Sequence, residues 1–203
     1  MEIDHNHRFK GVNYIESPNQ GGPFAPGQPD TIVIHYTAGA DPESAIHTLC
    51  DDKRENKVSA HLVVARDGAV TQLLPFNIIG WHAGVSQWGT RSGFNKYAIG
   101  IEIDNAGQLC ERDGCYESWF GQLYPPDEVV RGVHRNQLEA SYWHRYTNEQ
   151  LAVVEAICAA LIQRYGIQYI LGHEEIAPSR KVDPGPDFPL DEMRDRLCAR
   201  PLA

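Results

Sequence analysis

The run TIVIHYT, Thr31 to Thr37, restricts the possible folds more than any other stretch of the chain. It is short, almost wholly apolar and rich in β-branched residues, the pattern of a strand covered on both faces. Helices must flank such a strand, so the sequence predicts an α/β domain with a central sheet between helices. The neighbouring segments agree. Asp41 followed by Pro42 reads as an N-cap with proline at the first helical position, opening a helix to about Asp52. HLVVARDGAVTQLLP sets two β-prone runs around Asp67-Gly68, the signature of a hairpin that adds an antiparallel element to the sheet. YAIGIEID alternates, with Ile99, Ile101 and Ile103 on one face and Gly100, Glu102 and Asp104 on the other. Thr147 and Gln150 form a capping box ahead of apolar residues at helical spacing, Leu151, Val154, Ile157, Leu161 and Tyr165 among them, and Gly166 closes that helix. IQYILG then returns as a strand, and a last amphipathic helix is expected over about Leu190 to Ala199.

At 203 residues the chain is the length of one domain. Residues 1–30, dense in Gly and Pro, read as an irregular N-terminal arm before a catalytic domain over 31–199, and residues 105–146 as a long insertion carrying its own hairpin. No apolar run approaches the length of a membrane span, and MEIDHNHRFKG lacks the basic start and apolar stretch of a secretory signal, so the expected location is the cytoplasm where the chain is made. The net charge of -9 opposes binding to phosphate backbones, which excludes nucleic acid as the expected partner. Five cysteines cannot all pair internally; Cys50, Cys158 and Cys198 fall in helical segments as buried thiols do, and Cys110 and Cys115 are read as plain thiols too.

Three predicted strands end in a polar residue that a sheet core would not choose: Ile34 gives way to His35, Ile101 to Glu102, and Gly172 to His173. Ligand sites gather at the carboxyl ends of strands in open α/β sheets. After His173 the chain runs on through EEIAPSRKVDPGPDF, whose prolines restrict the backbone and whose alternation sends Lys181 and Asp183 to one side. Two imidazoles and a carboxylate make three ligands, the number a catalytic zinc keeps while leaving a position open, although the same donors also suit other divalent ions. Glu102 is placed to carry a proton and Lys181 to face a developing oxyanion, so the residues imply metal-assisted hydrolysis of an amide.

In order along the chain, TIVIHYTAG, VSAHLVVARDGAVTQLLPF, WHAGVSQW, YAIGIEI and LGHEEIAPSRKVDPGPDF resemble the zinc-dependent N-acetylmuramoyl-L-alanine amidases of the amidase-2 branch, which includes AmpD-like enzymes and peptidoglycan recognition proteins. The resemblance implies a mixed central sheet flanked by helices, one Zn2+ per chain held by His35, His173 and Asp183, and catalysis by Glu102 and Lys181. It implies hydrolysis of the amide between N-acetylmuramic acid, or its 1,6-anhydro form, and the L-alanine of the stem peptide, with peptidoglycan or soluble muropeptides as partner and a monomer or weak dimer as the working unit. Tyr36, His82 and Arg91 are the expected substrate contacts. Some phage-type members carry a catalytic tyrosine before the histidine of the second strand; Ala60 precedes His61 here, which leaves more of the proton transfer to Glu102. The insertion, with Trp119, Phe120, Tyr124, His134, Tyr142, Trp143 and His144, is longer than in compact members, and its aromatics are expected to pack it against the body more than to widen the groove. Two other readings share these residues. One is a wall lysin delivered by phage lysis or signal-less secretion, the other a peptidoglycan-binding module without catalysis, in which members lose a metal ligand that is retained here. A zinc peptidase is disfavoured because no His-Glu-x-x-His helix is present.

Overall fold

The computed structural model describes residues 1–198. In chain order the elements are β1 (Asn13–Tyr14), β2 (Thr31–Tyr36), α1 (Pro42–Cys50), β3 (Leu62–Val64), β4 (Val70–Gln72), β5 (Gln87–Trp88), β6 (Arg91–Ser92) and β7 (Ala98–Ile103). There follow β8 (Gln108–Arg112), β9 (Cys115–Glu117), β10 (Leu123–Tyr124), β11 (Val129–Val133), β12 (Ala140–His144), α2 (Asn148–Tyr165), β13 (Tyr169–Gly172), α3 (His173–Ile176) and α4 (Leu190–Cys198). Ala199, the expected end of the last helix, lies outside the described residues.

The central sheet runs β1-β4-β3-β7-β2-β13. It is mixed: β13, β2, β7 and β3 are mutually parallel, β4 turns back against β3, and β1 lies parallel to β4. Strand alternation divides the core. Ile32, Ile34, Ile99, Ile101, Ile103, Leu62 and Val64 pack under Val154, Ile157 and Leu161 of α2 and Leu190 and Met193 of α4. On the opposite face Val33, Ala98 and Leu171 pack with Ala83, Phe94 and Ile176, and Val63 packs with Leu49 of α1. The fully apolar reading of β2 is explained by this double cover: Thr31 to His35 are all buried. Helix caps follow the sequence. The Asp41 carboxylate accepts from the Ser44 N–H, and Thr147 and Gln150 exchange both bonds of the capping box.

Two segments depart from expectation. The first thirty residues are not simply irregular, because β1 extends the sheet, Phe9 is buried in the main core, and Ser17 and Asn19 bond the carbonyl of Leu49. His7, in the same segment, has its ring nitrogen 2.7 Å from the Tyr165 hydroxyl. Apolar side chains scattered at 3, 9 and 12 anchor this segment without periodicity, so pattern reading missed them. Between β7 and α2 the chain builds more than one hairpin: β10-β9-β8-β12-β11 form a five-stranded antiparallel sheet over Ala106, Leu109, Tyr124 and Val129. Cys110 and Cys115 are free and exposed on it.

Candidate active site

Register sets the site. His35 of β2 lies directly beside Glu102 of β7, and Ile34 lies beside Gly172, so His173 follows at the adjoining strand end. Parallel pairing thus brings the three polar strand ends together on the face opposite α2 and α4. His173 starts α3, and the Glu174 N–H donates to the Asp183 carbonyl at 2.8 Å, which folds Asp183 back against the histidines. The His35 Nδ1, His173 Nδ1 and Asp183 Oδ2 atoms form a triangle with edges of 2.9, 3.0 and 3.0 Å. All three residues are buried, and among the described residues they form the cluster able to hold a metal ion.

Hydrogen bonds behind the triangle settle which nitrogens carry protons. A carbonyl only accepts, so His82 Nε2, 3.0 Å from the Ala98 oxygen, is the protonated nitrogen of that ring. Burial, then the neighbouring His35, holds His82 well below its usual range, so it is neutral and its Nδ1 accepts from His35 Nε2 at 2.9 Å. His35 is also neutral, pushed down to about 4 by burial and then by His173. Its Nδ1 therefore bears a lone pair. By the same logic His173 Nε2, 3.2 Å from the Ala83 oxygen, is the nitrogen that donates to it, and Nδ1 is the one that faces the triangle. Two lone pairs and an anionic oxygen converging within 3.0 Å repel one another unless a cation joins them. The donor set and its spacing fit three of the ligands of a tetrahedral zinc, whose bonds to N and O run about 2.0–2.2 Å.

The triangle opens on a cavity of about 730 Å³ that Glu102, Lys181 and Tyr36 also line. Glu102 is half-buried, and its carboxylate has no hydrogen-bond partner among the described residues. Burial, with the Asp183 charge, raises it to about 8 against the opposing pull of Lys181. Lys181 and Asp183 do reach the same cavity, although the chain gets there through a turn in which the Lys181 N–H bonds the Ala177 carbonyl. The Tyr36 phenol is raised by burial and then by Asp183. Its ring rests on Gly107, where φ is +78° and a Cβ would lie 2.5 Å from Tyr36 Cζ, so both conformation and space require glycine.

Two expected substrate contacts already have protein partners. Arg91 is outside the cavity: its Nη1 spans both oxygens of Asp30 at 3.0 and 2.8 Å, and the guanidinium stands over the rings of Tyr97 and Tyr169, at the amino ends of the strands. Asp30, hidden in the last residue of the arm, satisfies the fork that a substrate carboxylate was expected to fill. His82 lines the cavity, with one ring nitrogen toward His35 and the other toward the Ala98 carbonyl. The Asn95 side chain pins its segment by accepting from the N–H groups of His82 and Ala83. His61 is tied on both sides, receiving the Gly100 N–H and donating to the Ile78 carbonyl. Sequence reading overlooked Arg180, which lines the cavity while donating to the carbonyls of Ala83 and Val85, and Arg54 and Trp81 beside it. Adjacency to Lys181 was the available signal for Arg180.

A mixed α/β sheet with a His/His/Asp cluster and a buried carboxyl at its strand ends defines a hydrolase scaffold built for a metal ion. Residues 25–186 match the family model Amidase_2, N-acetylmuramoyl-L-alanine amidase, and the chain belongs to that family. It is 33% identical over 202 residues to the 1,6-anhydro-N-acetylmuramyl-L-alanine amidase AmpD of Citrobacter freundii, covering 98% of this chain and 83% of that protein. To the AmpD of Escherichia coli K12 it is 31% identical over 170 residues, 83% of this chain and 69% of that one. Among solved structures, a selenomethionine AmpD crystal structure superposes with a TM-score of 0.67 at 27% identity, over 96% of this chain and 98% of that one. The E. coli amidase AmiD, in complex with its substrate anhydro-N-acetylmuramic acid-L-Ala-D-gamma-Glu-L-Lys, gives 0.62 at 28% identity, over 88% of this chain and 61% of AmiD. The mixed central sheet flanked by helices is the fold of these amidases. Among the described residues no helix is long and apolar enough to cross a membrane.

Proposed function

We propose that the chain hydrolyses the amide joining the lactyl group of N-acetylmuramic acid, including its 1,6-anhydro form, to the L-alanine of a stem peptide. The observation that carries this reading is the triangle of two imidazole lone pairs and a carboxylate oxygen, 2.9–3.0 Å on a side, sharing one cavity with Glu102 and Lys181. His35, His173 and Asp183 would hold one Zn2+, which when bound supplies hydroxide near neutral pH and Lewis acidity toward a carbonyl. Glu102, unpaired and raised by burial, takes the proton of the attacking water and returns it to the leaving amine of L-alanine. Lys181 places a positive charge where the carbonyl oxygen becomes an oxyanion. His82 and the Ala83 carbonyl fix the tautomers of the two histidines, and the burial of the site keeps bulk water from competing. With no tyrosine before His61, Glu102 carries both proton transfers.

Soluble muropeptides of the cytoplasm are the proposed substrate pool, with residues 31–199 as the catalytic domain and 105–146 as an insertion in it. The working unit we propose is a monomer or weak dimer. Mass spectrometry of the products tests the reading. Release of peptides beginning at L-alanine from an anhydro-muropeptide, abolished by chelator and restored by zinc, is expected; binding without products would move the chain to the recognition modules.

A further inference from the structure

From the structure we infer that Trp119, carried by the insertion, is a sugar platform that selects for a pyranose on the acyl side of the scissile amide. This inference rests on the amidase reading above. Most insertion aromatics do what aromatics usually do: Tyr124, Trp143, His134 and His144 are buried and hold the second sheet to the body. Trp119 does not. It is 77% exposed, yet its orientation is fixed, because its indole N–H donates to the Ala38 carbonyl at 2.8 Å and Phe120 meets it edge-on at 5.6 Å. An exposed tryptophan left free would scatter among rotamers; here the indole edge is tied to Ala38 while the side chain lines the cavity together with Phe120. The acceptor is equally particular. Ala38 lies at φ +48°, a conformation that a non-glycine residue adopts at a cost, and in it the carbonyl faces the indole.

Chain geometry places this platform within reach of the chemistry. Ala38 is three residues after His35, so at full extension the two lie no more than about 11 Å apart. In the proposed substrate the scissile carbonyl is the lactyl group's own, a few bonds from the sugar ring, which keeps the sugar beside the cavity that Trp119 lines. The flat apolar face of a pyranose stacks on indole, while the sugar hydroxyls remain toward water, which suits a ring exposed on one side. Trp81 lines the cavity too, but it is not held at the exposed rim as Trp119 is by Ala38, and Arg54 and Arg180 add cationic groups suited to a peptide carboxylate. A muramyl substrate is therefore held with its sugar on Trp119.

The test compares two amides that share the reacting bond, N-acetylmuramoyl-L-alanyl-D-isoglutamine and lactoyl-L-alanyl-D-isoglutamine, the second without the ring. In Trp119→Ala the ratio of kcat/KM for the first over the second is expected to fall about tenfold, mainly through KM, with Trp119→Phe keeping most of the ratio. An unchanged ratio, including equal loss on both substrates, overturns the inference. Titration of N-acetylmuramic acid into the Glu102→Ala variant, with and without Trp119→Ala, separates this from the activity itself. Saccharide binding that depends on Trp119 upholds the platform even if neither amide is cleaved by the unmutated chain, and binding indifferent to Trp119 refutes it.

Discussion

Gly100 touches none of the proposed metal ligands, yet Gly100→Ala is expected to weaken metal binding. A Cβ added at Gly100 would stand 2.5 Å from His82 Cγ and 2.7 Å from its Cδ2 and Nδ1. Ordinary contact begins near 3.4 Å, so the ring must retreat by about 1 Å. The His82 Nδ1 to His35 Nε2 distance is now 2.9 Å; a retreat of that size along it ends the bond. Either His35 Nε2–H is left buried without an acceptor, at about 1–3 kcal/mol, or His35 follows and carries its Nδ1 off the triangle. Loss of such an outer partner costs about 10- to 100-fold in metal affinity. Competition with a chelator measures the zinc Kd, and thermal unfolding of the metal-free protein reports any general damage. Because the effect passes through one ring, Gly100→Ala should add almost nothing in a His82→Ala background. A Kd unchanged by Gly100→Ala, or losses that add in the double variant, would refute the relay from Ala98 through His82 to His35.

Other expectations concern the reacting groups and pH. Glu102→Ala is expected to retain stoichiometric zinc by metal analysis while losing about a hundredfold or more in kcat, whereas Asp183→Ala loses both metal and turnover. Lys181→Met should bind muropeptide but lose about 10²- to 10³-fold in kcat, read by steady-state kinetics; a change confined to KM would remove its oxyanion role. Asp104 is raised from 3.8 to about 6, first by burial, so the folded state binds an extra proton between those values and the stability it contributes is lost as pH rises through that window. Asp104→Asn, which mimics the protonated form, should match the unmutated chain below about pH 4 and exceed it by up to about 3 kcal/mol at pH 8 in urea unfolding; a difference independent of pH would contradict this.

What was legible in the sequence was what local pattern and strand register can specify. β2 and β7 announced themselves by apolar run and alternation, and once they pair in parallel the meeting of His35 with Glu102 follows, as does that of His173 beside them. What pattern could not specify was competition between partners distant in sequence. Arg91 offered a fork for an acidic ligand, and only the fold reveals that Asp30, sixty-one residues earlier, occupies it. His82 was expected at the groove because the resemblance puts WHAG there; its bonds to Ala98 and His35 depend on the space above Gly100, which no periodicity records. The antiparallel sheet of the insertion was missed because its strands are only two to five residues long and broken by Gly and Pro, too short for alternation to accumulate.

Two of the contacts between the insertion and the catalytic body have different energetics, and the difference is testable. At the cavity rim the contact is one exposed indole bond to Ala38, replaceable by water when broken. On the far side of the metal cluster the contact is buried: Glu174, next to His173, receives His134 Nε2 at 2.6 Å, Arg135 Nε at 2.7 Å and the Gly185 N–H at 3.1 Å, while the Asn136 side chain bonds its carbonyl. His134 is fully buried and stacks on Trp143. Burial alone pushes the Glu174 carboxyl up despite these partners, so removing one leaves a buried acceptor undersatisfied. His134→Ala should therefore cost about 3 kcal/mol, the low end for a broken buried pair because Arg135 remains, and lower Tm by roughly 6–12 °C. Since Glu174 N–H also holds the Asp183 carbonyl, the same variant should weaken zinc binding. Trp119→Ala should change neither Tm nor zinc affinity. If His134→Ala proved as silent as that in both measurements, the insertion would be an appendage to the metal site rather than one of its supports.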